Sequence, residues 1–461
     1  GVTAGAITSD MLATNAVNGG NIADASITFA EIAQGGASAG QALVWNGTAW
    51  SNAAPSAGLA GYDENGPFSP SPVASGSGAI AMGVGANAVG LSSVVGGGLN
   101  NTNSDQQYSV IGGGRGNLIG DGDYHLGEGN TVCGGEWNRI ETSLSKPTYY
   151  SVIGGGVSNR MYGLAHGAVI AGGMLNGIGG ECSTIGGGMK NDNAGNCATI
   201  GGGYSNTLYS VVYATIGGGR ENRILDRSTN AVIAGGLENI IGDYSVNATI
   251  GGGYLNEIGT NSLNTTIIGG YNNRIGSNCN HAVVLGGRDN MAAGYASVAF
   301  GRRAKATNDG AFVWGDNTDA DVASVANASV TFRASGGYRL FSNSGLTLGA
   351  QLAANATSWS VLSDRNAKEN FEPIDTREIL EHVAELPLTA WNYKADPERR
   401  RYIGPVSQDF HAAFGLGNDT SINTLDTDGV ALAAIKALYQ ENQELKARLA
   451  EVERKMEEMG R

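Results

Sequence analysis

Ser363 and Lys368, in the segment SDRNAKENF, are the residues whose types and spacing come nearest to catalytic chemistry. A serine hydroxyl is a poor nucleophile until a base takes its proton, and a lysine amine does so only where desolvation lowers its pKa from about 10.4. The alternative is that Ser363 or Asp364 caps a helix and Lys368 is a solvated charge in its first turn. From these residues alone, the cap is the favoured interpretation.

Carboxylates offer a second chemistry, because glycosidases use a pair of them. Asp121, Asp123 and Glu128 form the one acidic cluster within residues 78–315. A Gly-rich acidic segment of this kind is usually a turn. A polysaccharide-degrading enzyme is therefore kept as the alternative function, to be separated from a binding protein by a turnover assay on capsular glycans.

Histidine and cysteine spacings predict no metal site and no cofactor. The five histidines share no ligand spacing and are expected to be structural: His125, His166, His281, His382 and His411. The four cysteines are too few for a disulfide scaffold: Cys133, Cys182, Cys197 and Cys279.

The composition constrains both fold and partners. Glycine accounts for 74 of 461 residues, whereas aromatic residues are 7% and charged residues 15%, so a core of large side chains would be thin. The net charge of -14 disfavours nucleic acid and anionic membranes as partners. No apolar run is long enough to span a membrane. Because the first residue is Gly1, we expect a processed product or a piece of a longer fibre.

An internal repeat dominates residues 95–290. Copies such as SVIGGGRGNLI and ATIGGGYSNTL place an asparagine six positions after an apolar residue, at spacings of about 15 to 21 residues that are typical of β-solenoid coils. The apolar column is Val95, Ile111, Val132, Ile153, Ile170, Ile185, Ile200, Ile216, Ile233, Ile250, Ile267 and Val284. The asparagine column is Asn101, Asn117, Asn138, Asn159, Asn176, Asn191, Asn206, Asn222, Asn239, Asn256, Asn273 and Asn290.

Each coil is predicted to hold two short strands and two turns. The glycines would let backbones approach, and each asparagine would adopt a left-handed conformation and stack its amide on the next. A single coil buries little, so three chains would pack their apolar stripes together to complete the core.

The repeats, flanked by GAIAMGVGANAVG at 78 and ASVAFGRRAKA at 296, resemble the heads of trimeric autotransporter adhesins. That resemblance implies a homotrimeric left-handed parallel β-roll over residues 78–315. Residues 1–54 are expected to be a segment next to the shaft, with Trp45 and Trp50 flanking an Asn-Gly hairpin turn. A linker at 55–77 and a β neck at 316–362 complete this part.

Beyond Ser363, four motifs in order resemble the endosialidase-type intramolecular chaperone: SDRNAKENFEPID, LPLTAWNYK, RYIGPVSQDF and DGVALAAIKAL. The resemblance implies an α+β domain at 363–431 that trimerises and guides folding of the stalk. It also implies a nucleophile, Ser363, a general base, Lys368, and one self-cleavage between Ser363 and Asp364. Ala367 departs from the family, which more often has a larger apolar residue there.

A heptad pattern predicts a trimeric coiled coil at 432–461, in which Asn442 fixes the register. Its a and d positions are Ile435, Leu438, Asn442, Leu445, Leu449, Val452, Met456 and Met459. A lone amphipathic helix is the alternative interpretation.

The sequence therefore predicts a mostly β, extracellular or virion-borne fibre that binds a cell-surface glycan or protein receptor and joins a larger fibre, phage tail or injection-type particle through its N-terminus. At most it is a single-turnover peptidase acting on itself. Two coils of 21 residues carry insertions, which solenoids confine to corners, so we expect one raised receptor patch. Its residues would be Tyr124, His125, Lys146, Tyr149 and Tyr150, with Asp123 and Glu128 as polar contacts. The alternative is that these loops only decorate the shaft.

Cys182 and Cys197 each lie three residues before a repeat start. We therefore expect them side by side on neighbouring coils, about 4.8 Å apart and reduced.

Overall fold

The computed structural model describes residues 42–45, 50–53, 59–60, 70–104, 106–120, 127–142 and 147–460. The chain divides into residues 1–338 with 352–359, and residues 339–351 with 360–461. It is mostly β, with a parallel β-solenoid of about 15 turns in the first unit and a few helices in the second. Within the described residues, no helix is long and apolar enough to cross a membrane.

Two parallel stacks of short strands build the solenoid. The first stack consists of Leu59–Ala60, Ile80–Ala81, Val94–Val95, Val110–Ile111, Thr131–Val132, Val152–Ile153, Val169–Ile170, Thr184–Ile185, Thr199–Ile200, Thr215–Ile216, Val232–Ile233, Thr249–Ile250, Thr266–Ile267, Val283–Arg288, Val298–Arg302, Phe312–Gly315 and Val330–Arg333. The second stack consists of Val73–Ala74, Asn87–Ala88, Thr102–Asn103, Leu118–Ile119, Arg139–Ile140, Arg160–Met161, Gly177–Ile178, Asp192–Asn193, Thr207–Leu208, Arg223–Ile224, Ile240–Ile241, Glu257–Ile258, Arg274–Ile275, Met291–Ala292, Ala304–Ala306 and Val322–Ala323.

The strand residues alternate between solvent and interior because successive side chains of a strand point to opposite faces. In Thr215–Ile216, for example, the isoleucine is fully buried and the threonine is not. Ile216 pairs in register with Ile200 and Ile233, as the repeat alignment predicts. Each such burial stabilises the coil by roughly 1.5 to 3 kcal/mol.

The core is complete within one chain. Ile216 of the first stack and Ile224 of the second are both fully buried, and the two columns belong to one hydrophobic cluster. The expectation that three chains must join their apolar stripes to complete this core was therefore wrong. The physical reason is that the apolar side chains of the two stacks pack against each other inside each coil.

The asparagine column forms the predicted ladder of stacked amides. Asn222 Nδ2 donates to Asn206 Oδ1 at 3.1 Å and to the carbonyls of Gly218 and Gly236 at 3.0 and 2.9 Å. Asn239 in turn donates its backbone N–H to Asn222 Oδ1 at 3.0 Å. Because these side chains are fully buried, each hydrogen bond also avoids the cost of an unsatisfied polar group.

The left-handed conformation falls on a different residue from the one predicted. The residue before each column asparagine has positive φ, as at Trp137 (55°), Leu175 (57°) and Glu221 (56°), and no described column asparagine does. The column asparagine has negative φ, and its side-chain amide forms the ladder hydrogen bonds. The corner therefore places varied, outward-pointing side chains in the strained position.

Glycines allow the close approach of coils where the corner turns. Gly219 has φ 91°, and a Cβ added there would lie 2.2 Å from the carbonyl oxygen of Gly236 on the next coil. No side chain fits this gap.

The cysteine register was predicted correctly. Thr184 and Ile185 pair with Thr199 and Ile200, so Cys182 and Cys197 occupy equivalent positions on neighbouring coils. Both thiols are free, and desolvation together with Cys182 raises the pKa of Cys197.

Shorter elements flank the solenoid. Ala42–Trp45 pairs antiparallel with Trp50–Ala53, with Trp45 opposite Trp50, as the predicted hairpin requires. The remaining strands are Gly337–Phe341, Gly349–Ala353 and Ser360–Val361 in one sheet, and Thr389–Trp391 and Tyr402–Gly404 in another. Most of the predicted N-terminal segment and linker lies outside the described residues.

The second unit contains three α-helices: α1 (Thr376–Glu385), α2 (Ser407–Phe414) and α3 (Thr424–Met459). Asp375 caps α1 by accepting the N–H groups of Arg377 and Glu378, which lowers the pKa of Asp375. Arg377 reaches Glu444 of α3 at 3.3 Å. The predicted coiled-coil segment is the C-terminal part of the continuous helix α3.

Candidate functional site

A tight turn directly follows the strand Ser360–Val361. Asp364 caps the 3-10 helix Arg365–Ala367, because its Oδ1 accepts the backbone N–H of Asn366 at 2.9 Å. The Asn366 side-chain amide donates to the same oxygen at 3.1 Å. The backbone N–H of Lys368 closes the turn on the carbonyl of Arg365.

This turn brings together the two residues singled out from the sequence. Lys368 Nζ donates to Ser363 Oγ at 2.7 Å, which is the geometry that proton transfer between hydroxyl and amine requires. Asp364 rather than Ser363 provides the cap, so the capping and dyad interpretations describe adjacent parts of one turn. Both Ser363 and Lys368 are exposed in the single chain.

The side chains around this turn are also exposed. The Arg365 guanidinium lies over the Phe371 ring, 4.7 Å from its centroid. Asn366 was not recognised as part of the site, although an asparagine two residues after an aspartate is a signal for a side-chain-stabilised turn.

Gln408 lies elsewhere in the second unit. It is exposed near the start of α2, where Ser407 Oγ donates to its Oε1 at 3.4 Å. Together with Trp391 and Tyr393 it lines a cavity of about 480 Å³. Among the described residues it makes no hydrogen bond with Ser363 or Lys368.

Part of the predicted receptor patch is described. Glu128 and Tyr149 are bridge partners on neighbouring coils, and the Tyr150 hydroxyl donates to Glu128, which raises the pKa of Tyr150. Tyr150 is 64% exposed, whereas the Tyr149 ring stacks on His166 at 4.9 Å. The other predicted members lie outside the described residues: Asp123, Tyr124, His125 and Lys146. Asp121 of the acidic cluster also lies outside them.

The two insertions follow the strands Leu118–Ile119 and Arg139–Ile140, which pair in register. The described residues that precede the two insertions therefore occupy equivalent positions of neighbouring coils. No group of three or more His, Cys, Asp or Glu side chains in the described part of the chain could hold a metal ion.

Residues 363–415 match the family described as chaperone of endosialidase, and the match begins at the serine of the turn. No curated protein matches the chain. The predicted chaperone is confirmed at this level, and together with the β-solenoid it fits a protein of the phage fibre or tailspike type. That family suggests a phage appendage.

Proposed function

We propose that this chain is a homotrimeric fibre or adhesin that binds a cell-surface receptor and is assembled by a C-terminal chaperone that cleaves itself beside Ser363. The observation that carries the proposal is the 2.7 Å contact between Lys368 Nζ and Ser363 Oγ at the first residue of the chaperone match.

Helix α3 supports the trimer because its apolar stripe is uncovered in one chain. Leu445 is 62% exposed and Leu449 58%, at spacings of three and four residues that suit a coiled-coil seam. Three parallel copies would cover this stripe, with Asn442 at an a position to hold the chains in register. The exposed apolar members are Ile435, Leu438, Leu445, Leu449, Val452, Met456 and Met459.

A second uncovered apolar surface lies at the C-terminal end of the solenoid. The residue after the buried position of the first stack is Gly251 on one coil but a larger side chain on the coils that follow. The first two of these are Ile268, which is 57% exposed, and Leu285, which is 44% exposed. The ridge continues in register through Phe300, Trp314 and Phe332. A ridge of this size on a soluble protein favours a partner, and further copies of the chain are the simplest one.

The cleavage chemistry follows from the dyad. Ser363 Oγ attacks the carbonyl carbon of the Ser363–Asp364 peptide bond while Lys368 Nζ takes the hydroxyl proton. The bond from that carbon to the Asp364 nitrogen then breaks, and Lys368 passes the proton to the departing nitrogen. Water then hydrolyses the resulting ester. A lysine acts as a base only when it is desolvated, and in one chain this residue is exposed, so we infer that assembled copies supply the burial. Cleavage would then report correct assembly.

The test is expression of the full chain followed by mass spectrometry. Cleavage between Ser363 and Asp364 releases residues 364–461, a piece of 98 residues, and the mass distinguishes this bond from the preceding one. Ser363→Ala and Lys368→Ala should each leave the chain whole. Lys368→Arg should do the same, because arginine keeps the charge but cannot act as a base.

Ser360→Ala is the matched control for the nucleophile, since Ser360 is a nearby hydroxyl that donates to the Gln351 carbonyl at 3.2 Å. It should cleave like the wild type. Equal release of the C-terminal piece from wild type and all dyad variants would refute the dyad.

Receptor binding is proposed at the patch around Tyr150, because this ring is exposed on a coil whose sequence carries one of the two insertions. Deleting both insertions should abolish binding to target cells without changing cleavage. Tyr150→Ala should weaken binding, whereas Tyr213→Ala should not, although Tyr213 has the same left-handed corner conformation and is 61% exposed. Undiminished binding by the loop-deleted protein would refute this location.

A further inference from the structure

Trp137 is an exposed aromatic platform on the solenoid wall. It occupies the left-handed corner position with φ 55° and is 52% exposed. Its ring lies against Gly116 on the preceding coil, where an added Cβ would approach the ring carbons to 2.5 Å. The absence of a side chain at Gly116 therefore lets the indole pack against this backbone, while about half of the Trp137 surface remains exposed.

A cavity of about 350 Å³ opens beside this ring. It is lined by Gly116, Trp137, Arg139, Ser158, Asn159 and Arg160, which lie on three successive coils.

Two arginines stand side by side in this cavity. Arg139 and Arg160 are register partners on adjacent parallel strands, about 4.8 Å apart along the stack, where like charges repel. Arg160 is neutralised by Glu141 at 2.6 Å. Within the described part of the chain, the Arg139 side chain has no hydrogen bond or ion pair.

The same strand position elsewhere has a different charge pattern. Arg274 lies next to Glu257 and pairs with it at 3.2 Å. The paired arginines beside Trp137 are the one adjacent like-charge pair in this column of described strands. In a chain with a net charge of -14, the unpaired Arg139 guanidinium at this place is a local positive charge that could bind an anionic group.

The floor of the cavity is rigid. Asn159 Nδ2 donates to Asn138 Oδ1 at 3.0 Å and to the Gly155 and Gly173 carbonyls at 2.9 Å. Asn159 is therefore committed to the ladder and fixes the backbone that carries Ser158 and Arg160. A site held in this way loses little conformational entropy on binding.

We propose that this cavity binds a carboxylate-bearing saccharide. The exposed indole face suits the C–H face of a sugar ring, and the free Arg139 guanidinium suits a carboxylate, which it can hold with two parallel hydrogen bonds. The Ser158 hydroxyl is placed to bond a ring hydroxyl. This site is separate from the Tyr150 patch and does not depend on cleavage or trimerisation.

The test is binding of the full chain to a panel of immobilised saccharides that carry carboxylates, sulfates or neither. The strongest ligands should carry carboxylates. Trp137→Ala and Arg139→Gln should each weaken binding by about tenfold or more. For a uronic acid oligosaccharide, methyl esterification of the carboxylates should have the same effect as Arg139→Gln.

Arg223→Gln is the matched control, because Arg223 is an exposed arginine in the same strand position several coils away. It should bind like the wild type, and all variants should keep the wild-type circular dichroism spectrum. Equal retention of neutral and carboxylated saccharides, binding confined to sulfated ones, or carboxylate binding unchanged by both cavity variants would each overturn the proposal.

Discussion

The apolar columns of the solenoid are buried within one chain, whereas the described residues leave the apolar stripe of helix α3 largely exposed. Ile216 and Ile224 are fully buried, but Leu445 is 62% exposed. In the second unit, the described buried residues are few: Phe410, Val430, Ala433, Ala434 and Ala437.

The two units therefore differ in where their apolar side chains find contacts. Each coil is specified by its neighbours along the chain, since the paired isoleucine, asparagine and glycine positions recur from coil to coil. The second unit instead leaves the apolar stripe of α3 exposed. We infer that association of chains is encoded mainly in the second unit, and the predictions below test that contrast.

The largest expected effect is from a single methyl group in the solenoid. Gly219→Ala would place a Cβ 2.2 Å from the Gly236 carbonyl oxygen at a φ of 91°. It should lower the free energy of unfolding by at least about 4 kcal/mol, measured by guanidinium unfolding. The control is Gly429→Ala in α3, where an added Cβ meets nothing and should stabilise the helix by about 0.5 to 1 kcal/mol. Similar stability of Gly219→Ala and wild type would contradict the close packing of coils.

A somewhat smaller effect is expected from the amide ladder. The buried Asn222 Nδ2 donates to three oxygens, and Asn222→Asp puts a carboxylate oxygen in its place. Because that oxygen cannot donate, the substitution should lower the free energy of unfolding by about 3 kcal/mol. Asn230→Asp makes the same change at an exposed amide and should alter stability by less than about 0.5 kcal/mol. Thermal or denaturant unfolding of both proteins measures the difference; equal losses would show that burial of the ladder is unimportant.

A substitution in the exposed apolar stripe of α3 should change the association of chains and leave the stability of the solenoid unchanged. Leu445→Glu should weaken association of chains by about tenfold or more, because it would bury a charge in the proposed seam. Ala447→Glu adds the same side chain two residues away, outside the a and d positions, and should assemble normally. Sedimentation at several concentrations distinguishes them, and identical behaviour would argue against the seam.

The smallest effect concerns pH at the C-terminal end of the solenoid. Hydrogen bonds from the Ser335 backbone, from Thr318 and from Arg333 lower the pKa of Asp316 far below its ordinary value near 3.8. The unfolded chain therefore takes up a proton first, so this stabilisation is present above about pH 4 and is lost as the pH falls further. Unfolding midpoints of wild type and Asp316→Asn should differ at pH 7 and converge on acidification. A difference that stays constant to pH 3 would refute this linkage.

Much of the solenoid could be predicted from sequence because its repeat fixes the register. The columns at Ile216 and Asn222 follow from spacing alone. Two features could not be read from the pattern: that the two stacks cover each other inside one chain, and that left-handed corners carry residues such as Trp137 and Leu175. Both depend on neighbouring coils, which override the preference of a bulky side chain for negative φ.

Ser363 and Lys368 could be singled out from the sequence because they stand in a recognisable motif. The turn that joins them depends on Asp364 and Asn366, whose double hydrogen bond is a local geometric effect. The proposed saccharide cavity was not predicted: the asparagine column already places Arg139 beside Arg160, but the packing of the Trp137 ring against Gly116 depends on the corner conformation.

The solution mass of the uncleaved protein tests the contrast between the two units most directly. The measurement is light scattering of the Ser363→Ala chain, in which the solenoid and α3 remain covalently joined. The account predicts three times the chain mass of 47.1 kDa, held by surfaces that one chain leaves exposed. A mass of 47.1 kDa at micromolar concentration would contradict it.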